Sequence, residues 1–288
     1  MHHCQYHPLI ILSKITHIVS YLVVTNHPVH DPDIQHVPFI AISPVFLSSL
    51  YSTYYHRVMA YDAFAKIVLP LQHKLYYVVM SLARFNLYAN SYGFLLLRSR
   101  RDWSFFLEIF SICAFWVWYG KVLMGTGSWI TAIASVLVSN MVASPLHVQA
   151  SFTNWCPSSH ADLTTIQIVL SHFARSTDDL GPVESFVHRQ LRTTTDVICP
   201  DSLAFLHGGL HLQVTHHLFP RLPRHNLRAA SLLVKEFAQA EGIEYAEFGF
   251  IEGNGEVLDV LKGVADQARI MGMVAGEEIK HKINGHHH

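Results

Sequence analysis

Charge is scarce in this chain. Asp, Glu, Lys and Arg make up 14% of its 288 residues, against about 25% in an ordinary soluble domain, and half of the residues are hydrophobic. That balance points to a membrane. Neither sign dominates either: the formal net charge is −1, so the basic footprint of a nucleic-acid binder is missing and no nucleic-acid partner is expected. Cysteine is sparse as well. Cys4, Cys113, Cys156 and Cys199 stand apart with no CxxC pair, which excludes a zinc ribbon and outlines no disulfide framework. No cleavable signal peptide is expected, because the apolar patches before residue 50 are short and broken by His and Pro.

Histidine is what the chain has in excess. Its 22 histidines outnumber its 21 carboxylates, an enrichment that suggests metal more than packing. The densest run of motif residues is Gln213-Val214-Thr215-His216-His217. At about 100° per residue, His216 and His217 fall at about −60° and +40° from Gln213, so all three side chains leave one face of a helix. Pro220 stops that helix just beyond them. Imidazoles suit iron, copper or zinc, and no thiolate stands in the motif.

Hydropathy divides the rest of the chain. Residues 45–74 mix aromatics with charge and read as interfacial or cytosolic helix. Residues 75–97 have a spanning length but contain Arg84, Asn86 and Asn90, so a helix in the headgroup region is expected there, not a crossing. Residues 105–124 and 129–148 are each about the 20 residues a bilayer core demands. Between them Gly125-Thr126-Gly127-Ser128 carries no charge and suits a tight hairpin. Arg98, Arg100 and Arg101 place the start of the first span in the cytosol by the positive-inside rule, and the second span then returns there near His147. Beyond the paired histidines, Leu227, Ala230, Val234 and Phe237 predict an amphipathic helix over 226–242, packed under the metal site. Val257, Val260, Leu261 and Val264 predict another over 256–273.

The string Gln213 to Asn226, QVTHHLFPRLPRHN, resembles the third histidine box of the membrane front-end desaturases, in which Gln replaces the first His. It looks most like the fungal sphingolipid desaturases that act at the Δ8 position of the long-chain base. Val24 to His36, VTNHPVHDPDIQH, and the pieces SPLHVQ (144–149) and IVLSHF (168–173) carry the same likeness. It implies an all-α integral membrane fold: a transmembrane hairpin plus cytosolic and interfacial helices carrying a histidine-rich di-metal site. It also implies a multi-pass protein of the endoplasmic reticulum membrane with that site facing the cytosol.

Against this family text two segments stand out, 4–22 and 150–167. Neither resembles the family, and both read as non-family insertions with the character of short in-frame retained introns; cDNA sequencing tests that. Removing the second leaves His147 and His172 seven apart, about −20° on a helix and hence on one face. His2 and His3 have two readings, the end of the family's second box or an ordered-by-nothing chain start. The fused cytochrome b5 domain with its HPGG motif and the first HxxxH box of the family are expected to be absent, so the chain is read as an N-terminally truncated desaturase domain spanning 1–288.

What the resemblance implies chemically is oxygen-dependent insertion of a double bond into a lipid chain, using a di-iron centre fed with electrons by cytochrome b5 and its reductase. Carried over by position, the iron ligands are His2, His3, His172, His216 and His217, with Gln213 and His147 supporting them. His147 has a second reading as a cap of its span, and His207 and His211 read as structural. His27, His30 and His36 read as loop residues that support the ligands from behind, in a loop that Asp31 and Asp33 hold, either Asp also having a reading as a hydrogen-bond partner of a ligand imidazole. Arg221, Arg224 and His225 read either as a basic face for an acidic electron donor or lipid headgroup, or as a solvated loop. The substrate implied is ceramide or another sphingolipid, with molecular oxygen; the alternatives are a Δ5 or Δ6 acyl-lipid desaturase, or a non-catalytic truncated product. Without the first box, this chain by itself is expected to be inactive.

Overall fold

The computed structural model describes residues 24–97, 99–149, 170–181, 183–200, 202, 204–207 and 209–285. His2 and His3 and both expected insertions, 4–22 and 150–167, lie outside them. In chain order the elements are β1 (Leu50–Ser52), β2 (Arg57–Met59), α1 (Ala63–Val68), α2 (Gln72–Leu97), α3 (Trp103–Met124), α4 (Trp129–Gln149), α5 (Phe186–Thr193), β3 (Asp196–Ile198), α6 (Ala204–His207), α7 (Gln213–Leu218), α8 (Leu227–Ala240), β4 (Glu247–Gly249) and α9 (Phe250–Gly285). Helix dominates, as the sequence suggests, but two short sheets add to it: β1 pairs antiparallel with β2 and β3 pairs parallel with β4. The chain divides into two compact units, Tyr77–Val148 and the remainder.

In the smaller unit, α3 and α4 contain the expected spans 105–124 and 129–148. Asp102 caps α3 by accepting the Phe105 amide at 3.1 Å. Arg101 donates to the Leu95 and Leu96 carbonyls at 3.3 and 2.7 Å, covering acceptors that the end of α2 leaves open, and lies over the Phe105 ring. The hairpin turns at Gly127, whose φ of 77° needs glycine, while Thr126 donates back to the Leu123 carbonyl at 2.7 Å. No residue of α3 is buried. Among the described residues α3 is the one helix long and apolar enough to cross a membrane, and the apolar stretch of α4, Trp129–Met141, is shorter.

In the larger unit the expected helix over 45–74 begins only at Ala63. Residues before it form a Pro44–Leu47 turn of 3-10 helix and the β1–β2 hairpin. The cause is a polar anchor: the buried Ser52 hydroxyl donates to Gln35 Oε1 at 2.6 Å and accepts the Tyr55 amide at 3.0 Å, holding an extended strand where composition suggested a helix. Gln72 fastens the same region to α9. Its side-chain amide exchanges two hydrogen bonds with the Ala41 backbone and donates to the Leu261 carbonyl at 2.8 Å.

Helix α9 outruns its expected range at both ends and buries Val257, Leu261, Val264, Ala265 and Ala268. Helix α8 matches the expected amphipathic helix and buries Leu227, Ser231, Val234 and Ala238. Phe237 is a correction: it faces outward, 45% exposed, because the buried stripe runs through the small Ala238 beside it. Val234 and Ala238 close a core with Leu191 of α5 and Val214 of α7, flanked by Leu218, Ile243 and Tyr245. That core positions the site.

Candidate functional site

Helix α7 is six residues long, too short to stand alone in water, so tertiary contacts define it. Its start is prepared by Gly209, at φ 85°, where a β-carbon would meet Leu227 Cδ1 at 3.4 Å. No side chain of the neighbouring residues caps α7. Instead the buried Asp196 of β3 accepts the Val214 amide at 2.8 Å and the Tyr245 hydroxyl. Burial pushes the Asp196 carboxyl up to about 6, against the lowering effect of those two donors. With Val214 turned into the core, Gln213 and His217, one turn apart, face the other way.

Three histidines meet there. The His172 and His217 rings lie 4.9 Å apart between centroids, and the His216 and His217 rings 6.0 Å. His172 and His217 are buried and His216 is half-buried. His217 Nε2 lies 3.1 Å from Gln213 Nε2, while its Nδ1 lies 3.1 Å from both Thr25 Oγ1 and Gln190 Oε1. His172 Nδ1 and Gln213 Oε1 are buried without a hydrogen-bond partner. Burial is the main cause that drives His172 down to about 4; a hydrogen bond to the Thr193 backbone opposes it and nearby His216 adds to it. The imidazole is therefore neutral at physiological pH, the form that ligates a metal.

The segments carrying these groups are tied together by side chains far apart in sequence. Asn26, in the left-handed region at φ 58°, donates from Nδ2 to the carbonyls of His172 at 2.9 Å and Ser176 at 3.3 Å. Asp31 accepts the Asn26 and Asp33 amides at 2.7 and 2.9 Å, and its carboxyl rises to about 7 because burial outweighs both donors. Asp33 is raised too, by burial and by Asp31. The other histidines of this loop point elsewhere: His27 meets Asp179 at 3.3 Å, His30 meets Thr53 at 2.8 Å, and His36 meets the Asp33 carbonyl at 2.8 Å. His207 and His211 pair edge to face at 5.6 Å, across the Gly209 turn and ahead of α7.

Of the sequence-read site residues, then, His172, His216, His217 and Gln213 come together. His147 belongs to α4, with its side chain outside the described residues, as are His2 and His3. Among the described residues no three His, Cys, Asp or Glu side chains are grouped to hold a metal ion. What they supply is a corner, and its chemistry fits a transition metal: imidazole side chains, with an orphaned ring nitrogen on His172 and an orphaned amide oxygen on Gln213, both buried. Sequence reading missed Thr25, Asn26, Gln190 and Asp196. Gln190 did leave a signal, since it follows Val187 by three residues and so shares the apolar face of α5.

The fatty acid desaturase family model matches residues 13–249. The chain is 45% identical over 265 residues to a Delta 8-(E)-sphingolipid desaturase of Emericella nidulans, covering 90% of this chain and 45% of that protein. It is 43% identical over 264 residues to a protein of the same name from Komagataella phaffii, with the same shares covered. A Delta(8)-fatty-acid desaturase 2 of Arabidopsis thaliana is 34% identical over 261 residues, covering 89% of this chain and 53% of that protein. The chain thus spans about half the length of the curated relatives it matches. No solved structure matches it.

Proposed function

The chain belongs to the fatty acid desaturase family, and from that premise we propose that its protein is an oxidoreductase that inserts a Δ8 double bond into the long-chain base of ceramide or a related sphingolipid. The observation that carries this reading is the buried corner of His172, His217 and Gln213, in a chain whose fungal relatives carry the sphingolipid desaturase name over nine-tenths of its length. The reaction removes two hydrogens from adjacent methylenes; with two electrons from cytochrome b5 and two protons from solvent, dioxygen leaves as two waters. No side chain cleaves an unactivated C–H bond alone, and a di-iron centre supplies the activated oxygen for it.

On this reading His172, His216 and His217 hold iron, together with His2 and His3. Gln213 and His147 orient the cage. Burial of the corner keeps bulk water from the reacting chain and keeps His172 unprotonated. The domain reading is part of the same proposal: 105–124 and 129–148 cross the membrane of the endoplasmic reticulum as a hairpin with both ends in the cytosol, 4–22 and 150–167 are insertions in a desaturase domain, and the metal faces the cytosol. Support for it comes from α3 and from Arg98, Arg100 and Arg101 at its leading end.

The test is expression of the complete reading frame in a yeast host without sphingolipid Δ8 desaturation, followed by mass spectrometry of ceramides and acyl lipids. A Δ8-unsaturated long-chain base is the expected product. New double bonds only in the acyl pool would replace this reading with the acyl-lipid one.

A further inference from the structure

Gln190 is fully buried, 0% exposed, in the middle of α5, and burying an amide there is costly unless it has partners. Its Oε1 accepts the Thr25 hydroxyl at 3.0 Å and lies 3.1 Å from His217 Nδ1. Thr25 has one hydroxyl proton, and that bond to Gln190 uses it, so Thr25 has none to offer His217 Nδ1 at 3.1 Å. The carbonyl oxygen of an amide only accepts. The hydrogen on this side must therefore come from the imidazole: His217 is the Nδ1–H tautomer. The other side of the ring agrees, because Gln213 Nε2, a donor, stands 3.1 Å from His217 Nε2 and requires a lone pair there.

We infer that Gln190, buttressed by Thr25, is a positioning residue that fixes His217 as the Nδ1–H tautomer and so keeps a lone pair on Nε2, which the Gln213 amide occupies here and a metal ion would take in its place. The residue is neither a ligand nor part of the histidine motifs, and it reaches His217 across 27 positions of sequence. An imidazole whose far N–H is held by an oxygen acceptor is oriented and made a better ligand, and removing such an acceptor costs about 10–100-fold in metal affinity. The metal half of the inference rests on the iron reading above; the tautomer half rests on the geometry alone.

The experiment uses the complete protein in detergent, in wild-type, Gln190→Leu, Gln190→Glu and Thr25→Val forms. Two readouts are taken: Fe(II) affinity, and the 15N signals of labelled histidine in the metal-free protein, with His217 assigned by its loss in His217→Gln. Expected are an Nδ1–H signature for wild-type His217, its loss in Gln190→Leu with iron binding weakened about 10–100-fold, and recovery of both in Gln190→Glu, which restores an acceptor at the same place. Thr25→Val, an isosteric change, weakens the signature less and guards against a Gln190→Leu chain that fails to fold. An Nε2–H tautomer in wild type, or an unchanged tautomer and iron affinity in Gln190→Leu, overturns the inference, as does equal loss in the Leu and Glu variants. A wild-type protein that binds no Fe(II) yet shows the Gln190-dependent tautomer sinks the iron reading and leaves the positioning role standing.

Discussion

The two units place the same kinds of residue in opposite surroundings. In Tyr77–Val148 the Trp, Phe and Ile side chains of α3 and α4 point outward, Trp103, Phe110 and Trp129 among them, and α3 buries nothing. In the larger unit Val214, Leu191 and Phe173 are inside, and beside them lie Gln190, Asp196, His172 and His217, polar groups removed from water. On the membrane-hairpin reading proposed above, solvent explains the inversion. A hairpin immersed in lipid gains nothing by hiding apolar surface, whereas a unit facing water buries it. Buried polar groups are then tolerated only with partners; at the histidine corner His172 Nδ1 and Gln213 Oε1 have none.

That contrast yields tests, the strongest first. Leu191→Ala opens a cavity against Val214 and Val234 beneath α7 and is expected to cost about 2–5 kcal/mol, seen as a lowered unfolding midpoint and lost iron binding. Acid acts next, through His172. Its folded-state value of about 4 lies below 6.5, so the stability it contributes is whole above pH 6.5 and drains as pH falls toward 4, by about 3 kcal/mol at the rate of 1.36 kcal/mol per unit. Asp31 and Asp196, raised to about 7 and about 6, run the other way, and their stability is lost as pH rises through those values. The measurement is therefore the difference between wild type and His172→Gln in unfolding from pH 7 to pH 5; parallel curves would refute the assignment.

Ile133→Lys and Leu233→Lys set the two units directly against each other. Both side chains are exposed, 52% and 67%. Lysine at Ile133, inside α4, is expected to disfavour membrane insertion by about 3 kcal/mol, read by glycosylation-site mapping. Between these two in size, Asn26→Ala removes the donor to the His172 carbonyl and puts alanine at φ 58°; a loss of about 1–3 kcal/mol is expected, read by chemical unfolding. The smallest effect is that of Leu233→Lys on the outer face of α8, where the fold should shift by no more than about 0.5 kcal/mol. An equal response to lysine at 133 and 233 would break the contrast between lipid-facing and water-facing surface.

Much of this arrangement was legible in one dimension. Apolar runs located α3 and α4, the three-and-four spacing located α8 and the middle of α9, and the i, i+4 relation of Gln213 and His217 put them on one face. Such features follow from backbone sterics and helix pitch, which act between near neighbours. The β1–β2 hairpin was not legible, because three-residue strands are too short to display a period of two and their register depends on Ser52 reaching Gln35.

The site divides the same way. Its histidines and Gln213 announced themselves by type and spacing. Which groups would hold them did not: Thr25 meets Gln190 across 165 positions and His217 across 192, and Asn26 meets His172 across 146. No local pattern encodes those pairings. They arise because folding removes Gln190, Asp196 and Asn26 from water, and each buried polar group must then find its partner wherever the packed core of α5, α7 and α8 brings one within reach.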